Sequence, residues 1–168
     1  ILVGANLSGA NLSNAQLYDT DLRNANLKNS NLSYVDLSSS KIMGADARNA
    51  NLSNASLQSH NISEIFLDGA NLSNANLSFT VFRSANLSGA NLSGAILVGA
   101  NLSNANLSNS QLYNTDLRNT NLKNSNLSYV DLSNSKIIGA DARNANLSNA
   151  SLQSHNISEI FLDGANLS

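Results

Sequence analysis

Apolar residues recur at every fifth position of the chain. From Leu2 to Leu167, 34 positions hold 27 Leu, four Ile (Ile42, Ile62, Ile137, Ile157), two Ala (Ala47, Ala142) and Phe82, and every leucine belongs to this set. Two residues before each centre the side chain is small: the 33 positions from Ala5 to Ala165 hold 18 Ala, nine Ser or Thr, Val35, Val130, Ile65, Ile160, His60 and His155. The unit reads Ala-Asn/Asp-Leu-Ser-x. Five residues advance an α-helix by about 500°, which scatters successive centres around it. An unbroken strand alternates its side chains and turns every second centre to water. Each unit must therefore join a short extended piece, on which Ala and Leu point to one side, to a corner that resets direction. The pattern predicts a coil whose turns stack about 4.8 Å apart in parallel β fashion and enclose the Leu column. Each turn then contacts only its neighbours.

Ala5-Asn6-Leu7-Ser8-Gly9, Ala10-Asn11-Leu12-Ser13-Asn14 and the units that follow resemble the pentapeptide-repeat family along the whole chain. The resemblance implies an all-β fold, a right-handed quadrilateral parallel β-helix (β-solenoid) with four pentapeptides per coil. With 168 residues that makes about eight coils and a rod of about 40 Å. Such a tube has little room for a second large side chain per unit, which accounts for Ala beside Leu. Truncating a central Leu to Ala is expected to cost about 2–5 kcal/mol. Ala47 and Ala142 are natural versions of that change and predict thin places in the core, with Val35, Ile65, Val130 and Ile160 as nearby compensation. Outside, 31 Asn dominate, most of them just before a centre, where Asp21, Asp36, Asp46, Asp116, Asp131 and Asp141 substitute. Residues one coil apart stack, so Asn avoids a column of repelling carboxylates and permits amide ladders. The Asn-Leu-Ser triplets match glycosylation acceptors in form only; the repeat itself generates them.

A longer repeat overlies the short one. Residues 1–73 match residues 96–168 at 67 of 73 positions, with Asn74 to Ala95 between them. The offset of 95 residues is 19 whole units, so the register predicts one continuous solenoid over 1–168 rather than two domains. Since 19 is not a multiple of four, equivalent residues are expected on adjacent faces. Tyr18 and Tyr113 then do not share a side, which argues against a binding strip made by duplication.

Charge and composition narrow the function. The chain has 9 Lys+Arg, 11 Asp+Glu, net charge −2 and no Cys, Pro or Trp. This excludes disulfide scaffolds and thiol chemistry and offers no basic surface for nucleic acid. No apolar run approaches the length of a membrane span. Residence in the cytoplasm is the expectation, or outside it if a leader has been removed. His60 and His155, followed by Glu64 and Glu159, suggest metal or general-base sites, but 95 residues separate the two histidines. The favoured reading is an imidazole tucked at a corner and hydrogen-bonded. No cofactor motif, nucleophile elbow or phosphate loop occurs, so no enzyme and no cofactor is expected. Tyr18, Tyr34, Phe66, Phe79, Tyr113, Tyr129 and Phe161 are outward aromatics and the candidates for contact with a protein partner. Phe79, beside inward Phe82, lies in the segment between the two blocks and suggests a local change of packing.

Three functional classes follow. The first is a structural or protein-interaction rod whose partner the residues do not name. The second is implied by the resemblance: some relatives imitate duplex DNA and bind type II topoisomerases such as gyrase, giving quinolone resistance. Duplex DNA carries about one charge per 1.7 Å, or roughly 24 over such a rod, far more than a net charge of −2. The third, an ice-binding face, would need an outward Thr array, whereas Thr20, Thr80, Thr115 and Thr120 all fall at inward positions. The end coils carry no helical or charged cap, which predicts weak end-to-end self-association.

Overall fold

The computed structural model describes residues 1–152 and 159–168; His155 and Ile157 therefore lie outside the described residues. Parallel bridges join residues before a centre to those 20 positions later, from Asn6↔Asn26 to Asn146↔Asn166, though none joins Lys41 to Asn61. Four pentapeptides thus close one coil. No α-helix occurs among the described residues. We call the four stacks of units face I (Leu2, Leu22 and every twentieth residue), face II (Leu7, Leu27), face III (Leu12, Leu32) and face IV (Leu17, Leu37).

A single unit shows why this sequence closes. The Asn26 N–H donates to the Ala5 carbonyl at 2.9 Å and the Leu27 N–H to Asp46 O at 2.7 Å, which forms the ladder. The Asn29 N–H donates to Arg48 O at 3.0 Å, and the Ser30 N–H to Leu27 O at 3.2 Å, closing a tight turn. The remaining N–H, that of Lys28, donates to the Asn26 side-chain Oδ1 at 3.2 Å. All five backbone donors of the unit are satisfied. An Asn or Asp before a centre therefore has a second task besides laddering: it caps the N–H two residues on, as Asx side chains do. Asp21, Asp36, Asp46, Asp116, Asp131 and Asp141 perform it as well as Asn does.

The corner residue, two after a centre, has φ between 54° and 74° among the described residues. That left-handed conformation is what the third residue of such a turn requires, and it favours Gly and Asn. It explains the Asn that amide ladders leave over. Gly99 meets a second demand, because a Cβ there would stand 2.6 Å from the Phe79 ring.

Inside, the centres and their preceding small residues form one core that includes Leu22, Ala45, Leu72, Phe82 and Leu107. The ladder runs on either side of Phe82, with Asn61↔Val81 and Val81↔Asn101, so the expected packing change there does not interrupt pairing. Ala47 and Ala142 are both fully enclosed. A cavity of about 70 Å³ with only apolar lining includes Ala142, Leu117, Leu147 and Ile160. The thin core anticipated at Ala142 is thus present, and Ile160 does not fill it.

Candidate functional site

The seven outward aromatics all stand exposed, and the coil distributes them over all four faces. Tyr18 and Phe79 lie on face IV, Tyr34 and Tyr113 on face III, Phe66 and Tyr129 on face II, and Phe161 on face I. Tyr18 and its duplicate Tyr113 are a quarter turn apart.

Backbone position sorts them further. Phe66 and Phe161 precede a centre and lie under guanidinium groups, Arg48 at 5.9 Å and Arg143 at 5.8 Å from the ring centroids. Each belongs to a small charged stack. Asp46 accepts Arg48 at 2.7 Å and Lys28 at 3.0 Å; Asp141 accepts Arg143 at 2.7 Å and Lys123 at 3.1 Å. The Arg48 guanidinium draws the Asp46 carboxyl down to about 2, and Arg23 does the same to Asp21. Arg118 and Arg143 likewise lower Asp116 and Asp141. These rings and charges are occupied with one another.

Tyr34, Phe79 and Tyr129 are different. They sit at corners with φ of 57°, 58° and 60° and are 61%, 64% and 61% exposed. A bulky L-residue in the left-handed region costs about 1–2 kcal/mol relative to the preferred helical hand, a penalty that Asn tolerates and Gly avoids. Most corners of the rod use those cheaper residues. Strain kept at an exposed position points toward use. Position in the pentapeptide already sets these three, all two residues after a centre, apart from the other four; the left-handed backbone angle at that place is what the structure adds.

His60 lies inward at the corner between faces IV and I, 6% exposed. Its Nε2 stands 2.5 Å from Leu37 O and its Nδ1 2.9 Å from Gln58 O. Both ring nitrogens are engaged by backbone, and the described residues contain no group of three His, Asp or Glu placed to hold a metal ion.

Charge is divided evenly. Face I sets Arg23, Lys41, Arg83, Lys123 and Arg143 against Asp21, Glu64, Asp141 and Asp163; face II sets Lys28 and Arg48 against Asp46 and Asp68. Face III holds Asp131, and face IV sets Asp19, Asp36, Asp116 and Glu159 against Arg118 and Lys136. No face carries a net charge beyond −2.

The family described as Pentapeptide repeats matches in eight copies, over residues 1–29, 30–65, 50–89, 67–97, 85–124 and 125–168. No curated protein sequence matches. Among solved structures, the chain is similar to full-length QnrB1, a plasmid-mediated fluoroquinolone resistance protein, with TM-score 0.74, 19% identity and 97% and 91% of the two chains covered. A trypsin-treated variant of QnrB1 gives 0.75 and 20% identity over the same shares. HetL, a pentapeptide repeat protein involved in heterocyst differentiation regulation from the cyanobacterium Nostoc sp. strain PCC 7120, is 30% identical, with TM-score 0.44 over 97% and 85%.

Proposed function

The chain belongs to the pentapeptide-repeat family, and on that premise we propose that it is a non-enzymatic rod, continuous and right-handed over residues 1–168, that binds a protein partner through its corner aromatics. The observation that carries this reading is that Tyr34, Phe79 and Tyr129 keep exposed rings in backbone conformations that disfavour them. Many other outward groups bond to one another. Asn31, Asn51 and Asn71 each donate to the Asn one coil below at 3.3 Å, and the Asp–Arg pairs are bidentate, as at Asp21, where Arg23 Nε and Nη2 approach at 2.9 and 2.7 Å. Aromatic anchors commonly carry protein interfaces. The test is photo-crosslinking in the native extract with wild-type protein and with the triple variant Tyr34→Asn, Phe79→Asn, Tyr129→Asn. The expected result is a specific adduct that the folded triple variant no longer forms. An adduct retained at full yield rejects the reading.

The second reading is a DNA-mimicking, gyrase-binding protein of the quinolone-resistance type, favoured by the shared fold with QnrB1 over 97% of the chain. The even division of charge among the faces weighs against it, since mimicry needs an acidic stripe. Electrophoretic competition with DNA for gyrase decides the matter: displacement of DNA at stoichiometric protein would favour this second reading over the first.

A further inference from the structure

Face IV shows water a different pattern from faces II and III. On those two the side chains before the centres run as amide ladders, as where Asn126 donates to Asn106 and Asn31 to Asn11, each at 3.3 Å. On face IV the same column reads Asp36, Ser56, Asn76, Ile96, Asp116 and Lys136, joined by successive bridges. No two neighbours in it are both Asn, so no such ladder runs there. Its middle is apolar instead. Phe79 is 64% and Ile96 41% exposed, and Val98 lies half-buried beside them. The Phe79 ring leans over the next coil, where a Cβ on Gly99 would stand 2.6 Å from it.

Charge is arranged symmetrically about that middle. Asp36 and Lys136 each stand two and a half coils from the point midway between Asn76 and Ile96, one on either side. Neither joins an ion pair among the described residues. The Asp36 carboxylate accepts only the Ser38 N–H at 2.9 Å and the Ser38 hydroxyl. Asp116, next to Lys136 in the column, is already held by Arg118 Nη2 at 2.7 Å.

We propose that face IV is the interface of a homodimer in which two rods lie face to face and antiparallel. A two-fold axis in the plane of the face, crossing the rod between Asn76 and Ile96, inverts the second rod and keeps each column opposite itself. Asp36 then meets Lys136 of the second copy, and the reverse pair forms beyond the axis. The Phe79 rings, each leaning over Gly99, meet near the axis beside Ile96 and Val98. Asp116 and Arg118, bonded to one another, come opposite the uncharged Ser56 and Gln58. Asp19 and Glu159 are the one like-charged match; both are exposed at the outermost coils, where salt screens them. A parallel pair would instead set Asp36 level with Asp36. An apolar middle flanked by self-complementary charges is what an isologous interface requires. With 7484 Å² of accessible surface shared among four sides, one face offers more than the roughly 800 Å² per partner that specific interfaces bury. The foreign partner proposed above is a separate matter, because Tyr34 and Tyr129 on faces III and II stay open in the dimer.

Sedimentation velocity of the full chain across a concentration series should show a reversible monomer–dimer equilibrium. Carbodiimide coupling should join Asp36 to Lys136 in the dimer; within one rod they are five coils, about 24 Å, apart, so the adduct reports contact between copies. Asp36→Lys or Lys136→Asp alone sets like charges opposite one another and should weaken the dimer at least about tenfold. The two changes together should restore it. The repeat already places Lys41 and Lys136, and six Asp, before a centre, so the rod accepts both exchanges, as circular dichroism should show. A chain that stays monomeric throughout overturns the interface. So does a dimer that ignores both single reversals, which is the result end-to-end association would give, or one that lacks the Asp36–Lys136 adduct or is not restored by the double exchange.

Discussion

Residues 1–73 and 96–168 are nearly one sequence written twice, yet the coil turns them to different sides. Asn11, Asn31, Asn51 and Asn71 form an amide ladder on face III; their duplicates Asn106, Asn126, Asn146 and Asn166 form it on face II. The stack of Lys28, Asp46, Arg48 and Phe66 occupies face II, and its copy with Lys123, Asp141, Arg143 and Phe161 occupies face I. Local geometry is reproduced to within 0.1 Å in the ion pairs and cation–π distances, while the surface each copy decorates is new. Duplication by 95 residues in a coil of 20 preserves the inside and rotates the outside by a quarter turn. It multiplies stability without multiplying any one face.

Removing that rotation is the strongest perturbation of the comparison. Deleting residues 81–95 leaves an offset of 80, four whole coils. Spin labels replacing Tyr34 and Tyr129 should then lie in one column about 19 Å apart, as measured by pulsed electron resonance; a longer distance spread over two faces would contradict the register. The core offers the next largest difference. Ala142→Leu fills the apolar cavity and should gain about 1 kcal/mol in urea unfolding. Ala47→Leu, with Ile65 in the unit stacked above it, should lose about 1–3 kcal/mol through overpacking; equal responses would erase the distinction. At the corners, Tyr34→Asn and Tyr129→Asn should each stabilise by about 1 kcal/mol, and by the same amount, since both blocks impose the same φ. Phe79→Asn should gain less, because its ring rests on Gly99.

Acid provides the smallest and most evenly shared effect. Asp21 and Asp46 titrate at about 2 rather than 3.8. A depressed carboxylate contributes stability that is complete above its unfolded value and is lost as protons bind below it. Stability should therefore decline as pH falls from about 4 towards about 2. Arg23→Gln and its duplicate Arg118→Gln should flatten that decline alike, as followed by circular dichroism.

The inward register could be read from the residues alone, because a period of five suits neither helix nor strand. So could the quarter turn between blocks, once four units per coil were granted. That number could not: periodicity tells which side chains point in, whereas closure depends on how sharply each corner bends. The left-handed corners were hidden for a related reason, since Asn serves two positions in the unit with different physics. The exchange of Asn for Asp before Leu was the available signal of the capping role, because an amide ladder needs an N–H donor and a cap needs only Oδ1. For the candidate sites the limits were sharper. Tyr34 and Phe66 are both outward and hold different places in the pentapeptide, but what those places mean is shown by the backbone angle of Tyr34 and the Arg48 contact of Phe66. His60 reaches the Leu37 carbonyl one coil below, a contact that no linear pattern displays.

Every bridge in the ladder spans the same 20 residues, and this has a consequence for how the protein is made. As the chain leaves the ribosome, any short strand finds its partner after twenty further residues have emerged, and no segment waits for a distant one. The molecule can wind up turn by turn during synthesis, each finished turn serving as the template for the next.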